Sequence, residues 1–389
     1  MDIISPNTST SESPLQRFPI EMLCEAFAAI IAHYRQAIDD ARHVKEVKLQ
    51  HPSITLSHVC RTWRETAIAA PTLWRRIYIP GLSHKLVDLY LERSKESTLA
   101  VRIDYMPRQH KRAVESAVKT LNYMTRIGEL CLVTEDRFAR YYVHYLERPA
   151  PRLKLLALHI DPVHSMHYAS RPQLEHKILN NIEKSPLRTL RLHSIIAPWT
   201  SSIFHGLTSL SIEFPTTSLT ITELLDILDS TPDLVHMTYR DRCIRDTPMV
   251  HSPPYRRISL PRLLSLQLEM FCDDLECLCD NILMPSLVSW RFKAKCDQPT
   301  RSPRHPSRSF PFSEQIHSLV ITASYYHTEL LFAAKSPSHS DHPCNETILT
   351  SSLGYHEPTC HPVQVVAANI KSHSSAHLFY SHVFPRCEH

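Results

Sequence analysis

Glycine is nearly missing from this chain: four residues in 389. Loops that cradle phosphate need glycines at close spacing, for tight turns and for backbone approach to the anion. Gly81, Gly128, Gly206 and Gly354 lie far apart, which excludes a P-loop or a dinucleotide-binding fingerprint. No apolar run approaches the roughly 18 residues of a membrane span. Residues 1–14 are rich in Ser, Thr and Pro and lack the basic start and apolar block of a secretory signal. A non-membrane protein of the cytoplasm, the nucleus or both is expected. An excess of one charge is also lacking: 43 basic residues face 39 acidic ones, for a net charge of +4. That balance gives no reason to expect nucleic acid. There is no Gly-x-Ser-x-Gly elbow and no His-Glu-x-x-His helix, and no cofactor is expected.

Histidine and cysteine are plentiful, at 26 and 11, but their spacing does not make a metal site. Cys272, Cys277 and Cys279 have no second pair at structural zinc spacing. We read Cys272 as ending a strand and the other two as near-core thiols on a helix. His339, His342, Cys344, Cys360 and His361 fit no closed four-ligand pattern. The cysteines are expected to be free, with Cys24 and Cys60 buried in apolar stripes. No metal is expected.

What is present begins at Phe18. Pro19 can open a helix at little cost, because a first-turn proline loses no hydrogen bond. Ile20, Leu23, Phe27, Ile30 and Ile31 then follow at helical spacing. Leu56, Val59, Cys60, Trp63 and Ala67 repeat that spacing, with Arg61, Arg64 and Glu65 left for the other face. Pro71 restarts a short turn in which Leu73 and Trp74 close the bundle. About sixty residues make a marginal core, so such a module gains stability from a neighbour or a partner.

Three ordered blocks, Phe18-Pro19-Ile20-Glu21-Met22-Leu23, Val59-Cys60-Arg61-Thr62-Trp63-Arg64 and Pro71-Thr72-Leu73-Trp74, resemble an F-box, in the F-box-like form common in fungal proteins. The chain departs from that pattern at Phe18, where leucine is usual, and in a longer charged spacer from His33 to Pro52. The resemblance implies a small helical module over residues 15–80 that docks onto the Skp-type adaptor of a cullin-RING ubiquitin ligase. It implies docking through Pro19, Ile20, Leu23, Phe27, Leu56, Val59, Cys60, Trp63, Leu73 and Trp74.

The rest of the chain has a different grammar. An apolar-x-x-apolar-x-apolar core recurs at Ile127/Leu130/Leu132, Leu153/Leu156/Leu158, Leu187/Leu190/Leu192, Leu207/Leu210/Ile212, Leu234/Met237/Tyr239, Leu263/Leu266/Leu268, Leu287/Trp290/Phe292 and Ile316/Leu319/Ile321. Steps between first residues are 26, 34, 20, 27, 29, 24 and 29, with a mean of 27. That period lies in the leucine-rich-repeat range of roughly 20–29 residues. Helices are expected between the copies. Thr220-Ile221-Thr222-Glu223 is a capping box ahead of an apolar stripe, and Leu275, Leu278 and Ile282 form another stripe. Leu99, Val101 and Ile103 make an atypical first strand. The expected fold class is therefore α/β: the helical module, then an irregular leucine-rich-repeat solenoid over residues 81–335, with parallel strands on the concave side and helices on the convex side. Residues 1–14 are expected as a disordered tail, and 336–389 as a degenerate cap or disordered tail. The basic, proline-punctuated stretch from Pro299 to Ser309 is expected as a loop.

Strand alternation sends Leu155, Ala157 and His159 to the face opposite Leu156 and Leu158. The same rule selects Arg191, His193, Glu213, His236, Arg240, Gln267, Glu269, Arg291 and Lys293 as a polar surface of mixed charge for a partner. Its cations suit acidic or phosphorylated side chains. An F-box ahead of leucine-rich repeats is a familiar architecture of ligase substrate receptors. The reading is therefore a non-enzymatic adaptor, bound to a Skp-type subunit and through it to cullin, that holds a protein substrate. Two other readings compete: an interaction scaffold of the same modules without ligase activity, and a hydrolase whose Ser, His and Asp residues assemble only in space.

Overall fold

The computed structural model describes residues 19–40, 51–79, 82–104, 110–135, 139, 141–142, 144–161, 186–195, 197–215, 219–241, 256–296, 318–323, 328–334 and 363–368. The expectations for residues 1–14, for the middle of the His33–Pro52 spacer, for Pro299–Ser309 and for most of 336–389 lie outside the described residues.

Helix α1, Ile20–Asp40, opens the chain. Pro19 stands one position ahead of its expected place: its carbonyl accepts the first helical bond from the Leu23 amide at 3.2 Å, so it flanks the helix instead of starting it. Helices α2, Pro52–Ser57, and α3, Arg61–Ala69, follow, then a 3-10 turn at Pro71–Leu73. Pro52 and Pro71 each occupy a first-turn position, where a missing amide hydrogen is harmless. Leu23, Phe27, Ile31, Leu56, Ala67, Leu73 and Trp74 are buried together. Phe27 meets Trp63 edge-on at 4.9 Å, and the Ser53 hydroxyl donates to the Leu73 carbonyl at 2.6 Å. Cys60 is exposed and Cys24 half-buried, against the expectation that both are buried. Each caps or flanks the apolar stripe without lying at its centre.

The remaining described elements build a large sheet, a separate pair of two-residue strands and the helices between them. The strands are β1 Arg76–Ile79, β2 Leu99–Asp104, β3 Ile127–Glu135, β4 Leu155–Asp161, β5 Thr189–His193, β6 Ser209–Glu213, β7 His236–Arg240, a two-residue β8 Ile258–Ser259, β9 Ser265–Phe271, a two-residue β10 Ile282–Leu283, and β11 Ser289–Cys296. Then come β12 Ser318–Ala323, β13 Thr328–Ala334 and β14 Val363–Ala368. The intervening helices are α4 His84–Arg93, α5 His110–Leu121, α6 Ile221–Asp229 and α7 Cys272–Asn281. From β1 to β7, and then β9 and β11, each strand lies parallel to the one before it. Strands β8 and β10 form a separate parallel pair.

Register makes the repeat physical. Ile77, Val101, Leu130, Leu156, Leu190, Leu210, Met237, Leu266 and Trp290 are successive cross-strand partners. So are Ile79, Ile103, Leu132, Leu158, Leu192, Ile212, Tyr239, Leu268 and Phe292. Every residue in both rows is buried. A backbone ladder runs beside them: the carbonyl of Lys154 accepts from Arg188 and Thr189, that of Arg188 from Thr208 and Ser209, that of Thr208 from Val235 and His236, and that of Val235 from Leu264 and Ser265. One carbonyl serving two amides of the next unit fixes the step, whatever the length of the intervening segment. Helix α6 contributes its apolar face from Ile221 to Leu228. Its capping box is complete, with Thr220 Oγ1 accepting from the Glu223 amide at 3.2 Å and Glu223 Oε2 accepting from the Thr220 amide at 2.9 Å.

Four sequence expectations are corrected. Arg76–Ile79, assigned to the helical module, is the first strand, so Leu99–Asp104 is the second. The eighth copy, Leu319 and Ile321, lies in β12, which pairs antiparallel with β13 and β14, while β13 lies antiparallel on β11. It does not continue the parallel series. Ile282 belongs to β10, not to the stripe of α7, and Cys272 starts α7 instead of ending a strand.

Gly128 occupies the one place in these strands where a glycine is forced by space. The β2–β3 register shifts between Leu99 and Ala100, whose partners are Ile127 and Glu129, leaving Gly128 as the extra residue of a bulge. A Cβ there would sit 2.4 Å from Thr98 Cγ2 and 3.3 Å from the Arg152 carbonyl. Gly128→Ala is expected to destabilise the chain by about 1–3 kcal/mol through overpacking, seen as a lower urea midpoint. Partial recovery is expected when Thr98→Ser removes the colliding methyl.

Candidate functional site

Two surfaces offer themselves, one on the helical module and one on the open side of the sheet. On the module, the expected docking residues divide. Leu23, Phe27, Leu56, Leu73 and Trp74 are buried and hold the module together, while Trp63 packs against them half-buried and keeps part of its surface exposed. Pro19, Ile20, Val59 and Cys60 are exposed. Ile20 is 59% and Val59 54% exposed, and Met22, Ile30 and Ile68 join them. Half of the ten exposed large apolar side chains among the described residues thus fall between Ile20 and Ile68. Exposed apolar residues concentrated in this stretch make the module a candidate interaction surface. Met22, Ile30 and Ile68 were not among the expected docking residues. Helical spacing from the buried stripe could have placed Met22 outside it.

The sheet's open side carries the residues that alternation selected. They stand in three rows set by register. The first is Leu155, Thr189, Ser209, His236, Ser265 and Ser289; the second is Ala157, Arg191, Ser211, Thr238, Gln267 and Arg291; the third is His159, His193, Glu213, Arg240, Glu269 and Lys293.

The third row is internally paired. Glu213 accepts from Arg240 at 3.1 Å and from the Ser211 hydroxyl at 3.1 Å. The His193 Nδ1 lies 4.0 Å from the same carboxylate. Lys293 stands 3.5 Å from Glu269. The imidazoles of His159 and His193 stack with centroids 3.7 Å apart, and Phe214 meets His193 edge-on at 5.2 Å. Two of the cations assigned to a partner, Arg240 and Lys293, therefore already have carboxylates within the chain. Arg291 also has a partner. Arg191 is exposed.

Towards the start of the sheet, the Arg102 Nε donates to both carboxylate oxygens of Asp104 at 3.0 Å, and the Tyr78 hydroxyl donates to Asp104 at 3.0 Å. Burial opposes the Arg102 charge, but the attraction and hydrogen bond of Asp104, together with Cys131 and Tyr78, outweigh it, and its pKa is raised. Burial also pushes the Tyr90 hydroxyl up, against the smaller opposing effects of Ser53 and Arg93, so it remains a hydrogen-bond donor. The Cys277 thiol is pushed up by burial and then by Asp274 and Asp280, which suits an unreactive thiol. No described helix is long and apolar enough to cross a membrane. No protein-family model matches the chain, and no curated protein matches it.

Proposed function

We propose that this chain is a substrate-recognition adaptor of a Skp-cullin-F-box ubiquitin ligase, with residues 19–74 as an F-box-like docking module and the parallel strand series as a leucine-rich-repeat-like solenoid that holds a protein substrate. The observation that carries the reading is the exposure of Ile20, Met22 and Val59, within two of the three F-box-like blocks, while Leu23, Leu73 and Trp74 of the same blocks are buried in the module's core. Such a surface supplies the apolar anchors that dominate interfaces. The chain performs no bond chemistry in this reading. Its effect is proximity: a substrate tethered beside the charged ligase meets it at raised effective concentration.

Coexpression with a Skp-type adaptor tests it. The wild type is expected to copurify with adaptor and cullin, and Ile20→Asp combined with Val59→Asp to weaken adaptor binding by on the order of 100-fold while the thermal melt stays unchanged. No adaptor bound to the wild type, or binding untouched by the double substitution, overturns the docking reading. Adaptor retained without cullin would leave a scaffold with no ligase role.

A further inference from the structure

A cavity of about 310 Å³ lies where Ile31 of α1 and the start of α2 approach the first strands. Three guanidinium side chains line it, Arg76, Arg102 and Arg191, with Glu129 as the carboxylate in its wall. Register explains its floor. Arg102, Cys131, Ala157 and Arg191 are successive partners across β2 to β5. Three strand spacings separate the two arginines, about 14 Å at ~4.8 Å each, and only the short side chains of Cys131 and Ala157 stand between them. Two long cationic side chains thus flank a hollow that the sequence leaves unfilled.

Asp104 is committed to Arg102 and Tyr78, and Arg76 and Glu129 each have an interaction of their own. Among the described residues Arg191 makes no ion pair, in contrast to Arg240 and Lys293 further along the same face. Its guanidinium can therefore take a carboxylate from outside the chain in a two-pronged hydrogen-bonded geometry. The row through Arg191 continues as Ser211, Thr238 and Gln267; the Ser211 hydroxyl donates to Glu213 and keeps its acceptor lone pairs, while Thr238 and Gln267 have side chains that both donate and accept, which suits an extended backbone.

We infer that this cavity receives an aspartate or glutamate side chain of an acidic peptide segment, anchored by Arg191, with the rest of the segment lying along Ser211, Thr238 and Gln267. The inference rests on the substrate-holding half of the proposed function and names the chemistry of what is held.

Fluorescence polarisation on the purified full-length chain, with no adaptor present, tests it using a fluorescein-labelled ten-residue peptide of alternating glutamate and serine. Saturable binding is expected, weakened at least about tenfold by Arg191→Ala and abolished by Arg191→Glu, since a charge-assisted bidentate pair is lost and then reversed. The same peptide with glutamine for glutamate should not compete. Lys111→Glu, on the exposed surface of α5, should leave binding within about twofold. Absence of binding, or equal weakening by Lys111→Glu and Arg191→Glu, overturns the proposal. Equal competition by free glutarate overturns the peptide assignment in favour of a small organic acid. Because Arg191 lies outside the docking module, adaptor copurification reports separately. A chain that binds adaptor but not peptide removes this inference alone, and one that binds peptide but not adaptor removes the docking reading alone.

Discussion

Trp74→Ala is expected to cost about 3–5 kcal/mol of folding stability and to abolish adaptor binding only as a consequence of unfolding. Trp74 is fully buried. Its indole N–H donates to the Ala67 carbonyl at 2.7 Å, its ring meets Tyr90 edge-on at 5.1 Å, and the Arg93 guanidinium lies over it at 4.4 Å. One side chain therefore ties α3 to α4 across the boundary between the helical module and the sheet. Truncation removes the apolar volume and leaves the Ala67 carbonyl without its donor, and Ala67 is itself fully buried. Urea denaturation followed by near-ultraviolet circular dichroism measures the effect. Trp74→Phe, which keeps most of the volume and the edge contact, should recover more than half of it. A well-folded Trp74→Ala protein that fails to bind adaptor would place Trp74 in the interface and contradict its burial.

That contrast marks how far the sequence can be read. Helical spacing identified the apolar residues buried in the module, from Leu23 to Trp74, yet it does not say towards which neighbour a stripe turns. Trp74 and Val59 are both apolar members of F-box-like blocks, and one is buried while the other is exposed. The difference arises from α4, whose Tyr90 and Arg93 cover Trp74, and α4 lies outside the motif. The repeat was legible for a firmer reason. The spacing inside each copy is invariant because two inward positions must meet their counterparts on both adjacent strands. The strand at Arg76–Ile79 escapes for another reason: Trp74, Ile77 and Ile79 carry the repeat spacing, but Trp74 also ends an F-box-like block, and spacing alone does not show that one residue serves both. Leu319 and Ile321 satisfy the pattern, but alternation on an antiparallel strand produces the same spacing of two, and direction is not encoded in it. The cavity beside Arg191 was invisible because its floor depends on register between β2 and β5, whose residues are far apart in the chain.

Leu210→Asp should be the most damaging single change in the strand series, at about 3–8 kcal/mol. Leu210 is buried in register between Leu190 and Met237. Losing its side chain from a packed core costs about 2–5 kcal/mol, and a carboxyl group there without a partner adds about 1–3 kcal/mol more. Ser209→Asp, one residue earlier, places the same group on the open face beside Thr189 and His236 and should cost less than about 1 kcal/mol. The two substitutions also differ in pH dependence. Burial raises the pKa of the introduced carboxyl in the folded chain above its unfolded value, so between those two values the folded state holds the extra proton. Stability then falls as pH rises through that window, and the Leu210→Asp penalty should shrink on acidification towards the unfolded carboxyl range near 4, relative to the wild type under the same conditions. Damage is also expected to be local. Each strand in such a series contacts mainly its neighbours, so amide exchange should lose protection first in β5, β6 and β7, with β1 and β2 holding theirs. Uniform loss of protection from β1 to β11, or equal penalties for the two substitutions, would contradict a core formed by one row of every strand and stabilised neighbour by neighbour.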